Sequence, residues 1–454
     1  MKALAVKVCL LAVLAMVAAQ PAAFAQESPP APAQEGRPIT LSQALITALQ
    51  NNLALRLAVF EVEVTRAQLA QALAAKAGTA SATLSYTRTN EKSTSFVIPA
   101  DSFGPGLPPA DTTITFPVSP NIYVASIMYQ YPLYSGGRLE AQIALAKAGV
   151  KGSEAAFERT KQEIMLQTKL AYFQVLVAQA GLQVAQQSVT QAEETLRIAQ
   201  ARVRAGTSPR FDEIQAEVSL AIARQGLGRA RNGVAVATQG LAAVIGLPVD
   251  TPLRPQESME VVPVAAGVAD LVARGLKDRP ELVEHQAKVE AAVAAIELAK
   301  AGARPAVGLT GGFSADGIAS GSLSLGWSIT LAATFPLFDG GVTAAKIKEA
   351  ELRLEQLKVV EAQLRQGIEL GVRQAVLNLS AAAEELTTAG KTIEQAREAL
   401  RIAQVRFREG VGTNLEVITA QSALTQAESA RVQALFSYNT ARAQLERAVG
   451  GPVT

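Results

Sequence analysis

The side chains that make and break bonds are scarce in this 454-residue chain, which has one histidine, His285, and one cysteine, Cys9. A metal cluster needs several ligating side chains, and a nucleophile–base pair needs a thiol, hydroxyl or imidazole beside its partner. His285 follows Arg279-Pro280 in a helical stretch and reads as a surface or packing residue, and no carboxylates are paired in a pocket-like context. The charges that recur in register are of another kind. Asp212 stands six residues after Gly206, Glu416 stands six after Gly410, and the two carboxylates are 204 residues apart. The same interval carries Arg202-Val203-Arg204 onto Arg406-Phe407-Arg408. Catalysis lacks its usual parts, so no enzyme, metal site or cofactor is expected, and on composition alone the matched carboxylates read equally well as solvated helix residues.

The interval of 204 extends far beyond the charges. YPLYSGGR at 131–138 lies over FPLFDGGV at 335–342, RIAQARVRAG at 197–206 over RIAQVRFREG at 401–410, and IGLP at 245–248 over VGGP at 449–452. Upstream, LAAKAG at 73–78 matches ELAKAG at 297–302 at an offset of 224, so the first copy carries 20 extra residues between 78 and 131. A chain written twice predicts one structural plan used twice. The expected units are a signal peptide at 1–25, an N-terminal linker at 26–36, a first repeat at 37–250, a linker at 251–268 and a second repeat at 269–454.

The start reads as an export signal: Lys2 and Lys7, an apolar run from Val8 to Ala19, then Ala23-Phe24-Ala25. Cys9 lies inside that run, so the mature chain would hold no thiol. The net charge of +2 is small for the length, and the basic residues are interleaved with acidic ones. Both weigh against nucleic-acid binding. No second long apolar run follows, so entry into a membrane would have to use β-strands.

Each copy alternates two patterns. Arg138 to Ala205 and Val342 to Glu409 contain no proline, and each stretch of 68 residues would be about 100 Å long as one helix. Return helices are expected at 210–246 and 414–449, with Gly206-Thr207-Ser208-Pro209 and Gly410-Val411-Gly412-Thr413 as the turns. Between the helices lie strands at about 79–88 and 121–134, then 305–314 and 321–338. Leu323, Leu325, Trp327, Ile329 and Leu331 occupy one face, and Ser322, Ser324, Ser328 and Thr330 the other. Aromatic residues at strand ends, Tyr123, Tyr131, Trp327 and Phe335, suit a lipid-facing belt around a barrel whose interior is wet. Four strands cannot close a barrel, so two, three or four copies would have to share one. Residues 88–120 form a long connection containing Pro and Gly. A coiled-coil rod with no conduit, structural or adhesive, is the alternative that the helical pattern alone leaves open.

Taken in order, the tandem copies, TLSQALITALQNN at 40–52, FPLFDGG and RFREGVGTNLEVITAQ at 406–421 resemble the TolC family of outer-membrane efflux factors over residues 37–452. The resemblance implies an α+β membrane protein with a two-strand transmembrane hairpin and long periplasmic helices in each repeat. It implies a homotrimer whose barrel of twelve strands in outer-membrane lipid continues into a helical barrel across the periplasm. A periplasmic adaptor and an inner-membrane pump would be its partners, in drug efflux or type I protein secretion. By the same resemblance, Asp212, Glu416 and Thr419 fall at the periplasmic constriction, where three copies of Glu416 would form a ring attracting cations. Arg202, Arg204, Gly206, Arg406, Arg408 and Gly410 fall at the tips that receive the adaptor. Thr419, Gly412 and Phe407 depart from residues some members place there, which implies a differently held gate. Pro132, Gly136, Gly137, Pro336, Gly340 and Gly341 form a rigid elbow between strand and helix, where proline would end strand pairing and Ser135 or Asp339 would cap the helix.

Overall fold

The structure, a computed structural model, describes residues 36–90, 93–117, 121–256, 259, 261–318 and 323–453. The export signal, Cys9 and the linker through residue 35 lie outside these residues. The first repeat runs β1 (Arg37–Ile39), α1 (Leu41–Asn51), α2 (Leu53–Ala74), β2 (Thr79–Arg88), β3 (Ser93–Ile98), β4 (Thr112–Pro117), β5 (Asn121–Tyr134), α3 (Arg138–Arg204) and α4 (Arg210–Val244). After β6 (Leu253–Pro255), the second runs α5 (Val268–Asp278), α6 (Pro280–Ala301), β7 (Ala306–Ile318), β8 (Leu323–Thr334), α7 (Val342–Arg408) and α8 (Asn414–Val449).

The long helices α3 and α7 each have 67 residues, so both reach about 100 Å. Their buried positions follow heptads: Ala141, Ala148 and Ala155, then Ala192 and Ala199, in α3; Ile368, Ala375, Ala382 and Ala389, then Ile393, Leu400 and Phe407, in α7. A strict seven-residue repeat of small and apolar side chains produces left-handed supercoiling with close axes. Accordingly α3 packs along α4 and α7 along α8, and α3 also packs on α8, joining the repeats.

Four strands form one antiparallel sheet in the order β2-β5-β7-β8. Its register aligns the apolar rows across every strand: Tyr86 opposite Tyr123, Ile127 opposite Phe313, and Phe313 opposite Trp327. The reverse face brings Thr83 opposite Ser126, Ser126 opposite Ser314, and Gly312 opposite Ser328. In the chain as it stands Leu84, Trp327 and Ile329 are 83%, 77% and 70% exposed, so this apolar face has no protein cover. Among the described residues no helix is long and apolar enough to cross a membrane.

The core sits where the short helices meet the long ones. Ile39, Ala44, Ile164, Tyr172, Leu241 and Leu253 pack together in the first repeat, and Leu271, Val372, Tyr438, Leu445 and Val449 in the second.

Three expectations need correction. The connection at 88–120 is not plain loop, because β3 and β4 pair within it as a separate antiparallel hairpin, Phe96 opposite Ile114. The linker at 251–268 contains β6, which pairs in parallel with β1, Ile39 opposite Pro255. Pro132 does not end strand pairing either. β5 continues through it to Tyr134 on β7, with a bulge between Pro132 and Tyr134 that accommodates the missing N–H. In the second copy the strand ends at Thr334, before Phe335.

Candidate functional site: tips and elbows

At the tips, both long helices end the same way. The N–H of Gly206 donates to Val203 O (3.0 Å) and that of Thr207 to Arg202 O (2.9 Å); Gly410 and Val411 repeat this on Phe407 O (3.2 Å) and Arg406 O (3.0 Å). The left-handed φ of Gly206 (73) and Gly410 (80) is what closes these turns, and a side chain there would strain them.

The side chains then diverge. The Arg202 guanidinium crosses from the first repeat to the second, lying 4.5 Å from the centroid of the Phe407 ring and donating to Phe407 O at 2.5 Å. This combines a cation–π contact with a charge-assisted hydrogen bond. Its counterpart Arg406 turns back on its own hairpin, with Nε 3.4 Å from Glu416 Oε2. Asn414, 1% exposed, donates from Nδ2 to Asp212 O at 3.1 Å, so Asp212 meets the second repeat through its main chain. Thr413 caps α8 by accepting the Glu416 N–H at 3.2 Å. Arg204, Arg408 and Thr419 are exposed.

Sequence reading missed Asn414 and the Arg202–Phe407 clasp. The available signal was the mismatch within the duplication, since Asn414 stands over Arg210 and Phe407 over Val203.

At the elbows, Ser135 Oγ accepts the Leu139 N–H at 3.1 Å, and Asp339 accepts from Gly341 N (3.0 Å) and Thr343 N (2.8 Å). Hydrogen bonds from the Thr343 side chain and from the Thr343 and Gly341 backbone hold the Asp339 carboxyl below its ordinary range. The helix starts share one backbone, with φ 87 at both Gly137 and Gly341. Pro132 lies inside β5, and Pro336 follows the end of β8. Of the aromatic residues assigned to the belt, Trp327 and Phe335 are exposed, Tyr123 lies 5.0 Å from Tyr86 between ring centroids, and Tyr131 stacks on Tyr129. Among the described residues no group of three or more His, Cys, Asp or Glu could hold a metal ion.

A duplicated chain with an apolar-outward sheet of two open edges, running through glycine joints into helices of about 100 Å, has the architecture of a TolC-type channel. The outer-membrane channel CmeC of Campylobacter jejuni superposes with a TM-score of 0.75 at 18% identity, over 91% of this chain and 86% of that one, which establishes the fold. The toluene efflux pump outer membrane protein TtgC of Pseudomonas putida is 25% identical over 418 residues, 90% of this chain and 83% of TtgC. Protein CyaE of Bordetella pertussis is 26% identical over 310 residues, 66% of this chain and 64% of CyaE, a little under two thirds of that protein. The sequence pattern of the family described as Outer membrane efflux protein matches residues 44–247 and 271–451, one match per repeat. The chain belongs to this family. It is an outer-membrane exit channel with a periplasmic tunnel. Outer membrane efflux proteins work as trimers, with a periplasmic adaptor and an inner-membrane pump.

Proposed function

We propose that three copies of this chain close a barrel of twelve strands and continue it as a helical tunnel, conducting solutes outward from a pump docked at the tips. The observation that carries this is the sheet. Its apolar rows run unbroken across four strands, and β2 and β8 each leave one edge unpaired, an arrangement intolerable in lipid unless other copies complete it. Transport needs no bond-making chemistry, which suits a chain with one histidine that is buried and hydrogen-bonded to Leu357 O. The inner-membrane pump selects the cargo, whether small molecules or proteins.

Within this reading Asp212, Glu416 and Thr419 line the constriction. Arg202, Arg204, Gly206, Arg406, Arg408 and Gly410 present the tip surface to the adaptor. The elbows at Pro132, Gly136 and Gly137, and at Pro336, Gly340 and Gly341, keep barrel and tunnel in one wall, with Tyr123, Tyr131, Trp327 and Phe335 in lipid. Conductance across planar bilayers tests it. Discrete channels from the purified protein, with altered conductance or cation selectivity in Asp212→Ala and Glu416→Ala, support the reading. Unchanged values in both variants remove the constriction assignment, and a protein that opens no channels favours a rod.

A further inference from the structure

We propose that Arg210 of one copy pairs with Glu416 of the next across the subunit boundary at the tunnel tip; the inference rests on the trimeric reading above. The duplication serves as a ruler. Around the tips the two repeats share turn hydrogen bonds, turn glycine conformations and an interval of 204 residues without a gap. The contact between repeats inside one chain is therefore a template for the contact between chains.

Inside the chain the template has α3 of the first repeat packed on α8 of the second. Advancing one repeat sets α7 against α4 of the partner subunit. Both faces are uncovered in the single chain. On α4, Phe211, Ile214, Val218 and Ile222 form an exposed stripe at helical spacing, and on α7, Leu370, Leu377, Ile402 and Val405 are exposed.

The polar contacts carry over residue by residue. Arg202 on Phe407 becomes Arg406 on Val203 of the partner subunit, where there is no ring to hold the cation. Asn414 on Asp212 becomes Arg210 of the partner subunit on Glu416. The neutral amide on the Asp212 main-chain carbonyl is thus replaced by a guanidinium at the Glu416 main chain, which brings the cation beside that residue's carboxylate. Both groups are available for it: Arg210 is exposed and without an ion-pair partner among the described residues. Glu416 Oε2 lies 3.4 Å from Arg406, while among the described residues its Oε1 takes only the Thr413 hydroxyl, also at 3.4 Å. Within a chain the tip is held by an aromatic clasp and an amide; between chains it is held by charge, with Glu416 between two arginines.

The test places cysteines in a Cys9→Ser chain. Arg210→Cys with Glu416→Cys, extracted in detergent and treated with a short thiol crosslinker, gives covalent dimers and trimers on a denaturing gel. Asp212→Cys with Asn414→Cys crosslinks within the chain and gives no ladder. A wild type that sizes as a trimer while the Arg210/Glu416 pair stays monomeric overturns the inference and leaves the trimer standing. A ladder equally strong with Arg210→Cys alone overturns it too, and a monomeric wild type overturns both it and the reading beneath it. Where the cysteine pair does not assemble, bilayer recordings of Arg210→Gln decide: a resting conductance raised about twofold and restored by Arg210→Lys supports the pair, and conductance equal to wild type overturns it.

Discussion

The two repeats share a backbone but finish the same joints with different chemistry. Where α1 turns into α2, Asn52 caps α2 by accepting the N–H groups of Ala54 (2.9 Å) and Leu55 (3.3 Å), and its amide donates to Val244 O at 2.8 Å. The matching turn of the second repeat carries Arg279 and Glu281 instead, tied to Arg447 of α8, whose Nη2 lies 2.6 Å from Glu281 Oε1. Arg447 also donates to Gln162 Oε1 at 3.2 Å and lies 3.7 Å from Glu163 on α3. One neutral residue closes the joint within a repeat; the charged version reaches into the other repeat. The elbows differ likewise. Gly136 is covered by Arg304 and Pro305 of the second repeat, with Arg304 Nη1 donating to Gly136 O at 3.3 Å, whereas Gly340 has nothing near its Cβ position among the described residues. Duplication thus supplied two copies of each joint; the first elbow is covered by the second repeat, and the second elbow has no such cover within the described residues.

This contrast can be broken most forcefully at Arg447. Arg447→Ala strands a largely buried Glu281 and lowers stability by about 3 kcal/mol in thermal unfolding of the detergent-solubilised protein, against about 1 kcal/mol for Asn52→Ala, which loses a cap. Equal losses would mean that the charged joint is no more than a substitute cap. A smaller difference is expected at the elbows. Gly136→Ala would set a Cβ 3.0 Å from that of Arg304 and 3.2 Å from two backbone oxygens, at a φ of 66. Gly340→Ala meets only the left-handed φ of 65, so the first variant should cost about 1 kcal/mol more in the same assay.

The mildest probe is acid. Burial pushes the Glu281 carboxyl up, but the Arg447 hydrogen bond, its own backbone and the charges of Arg279 and Arg447 outweigh burial and hold it below its ordinary value. A depressed folded value means that its stabilising contribution is present above about pH 4.3 and is lost as pH falls through the folded value. The melting temperature of wild type should fall in that acid window, and Glu281→Gln should flatten this part of the profile. The Asn52 joint has nothing to titrate.

The fold was legible where a pattern repeats along the chain. Alternation from Leu323 to Leu331 revealed β8, proline-free heptads revealed α3 and α7, and the paired YPLYSGGR and FPLFDGGV marked the elbows. It was not legible where a structure depends on distant partners. Strands β1 and β6 are three residues each and pair over a separation of more than 200 positions, so neither has a local signature. The β3–β4 hairpin hid among prolines and hydroxyl residues that also read as loop. Of the tip residues, the glycines and charges could be found by matching the copies. The Arg202–Phe407 clasp left only the mismatch of Phe407 with Val203 as a trace, because it joins side chains on two helices whose facing depends on supercoil phase. The Arg279–Glu281–Arg447 cluster joins the start of α6 to the end of α8 and has no counterpart in the first copy to point to it.

The equal length of α3 and α7 bears on how such a tunnel can change size. Adding one residue to a single long helix would advance everything below it by about 1.5 Å and turn it by about 100°, sliding Arg202 off Phe407. Only insertions made in both long helices and both return helices, in whole heptads, keep the clasp and the heptad seam in phase. The depth of the tunnel is therefore quantised: lengthening that preserves the heptad seam comes in paired steps of about 10 Å.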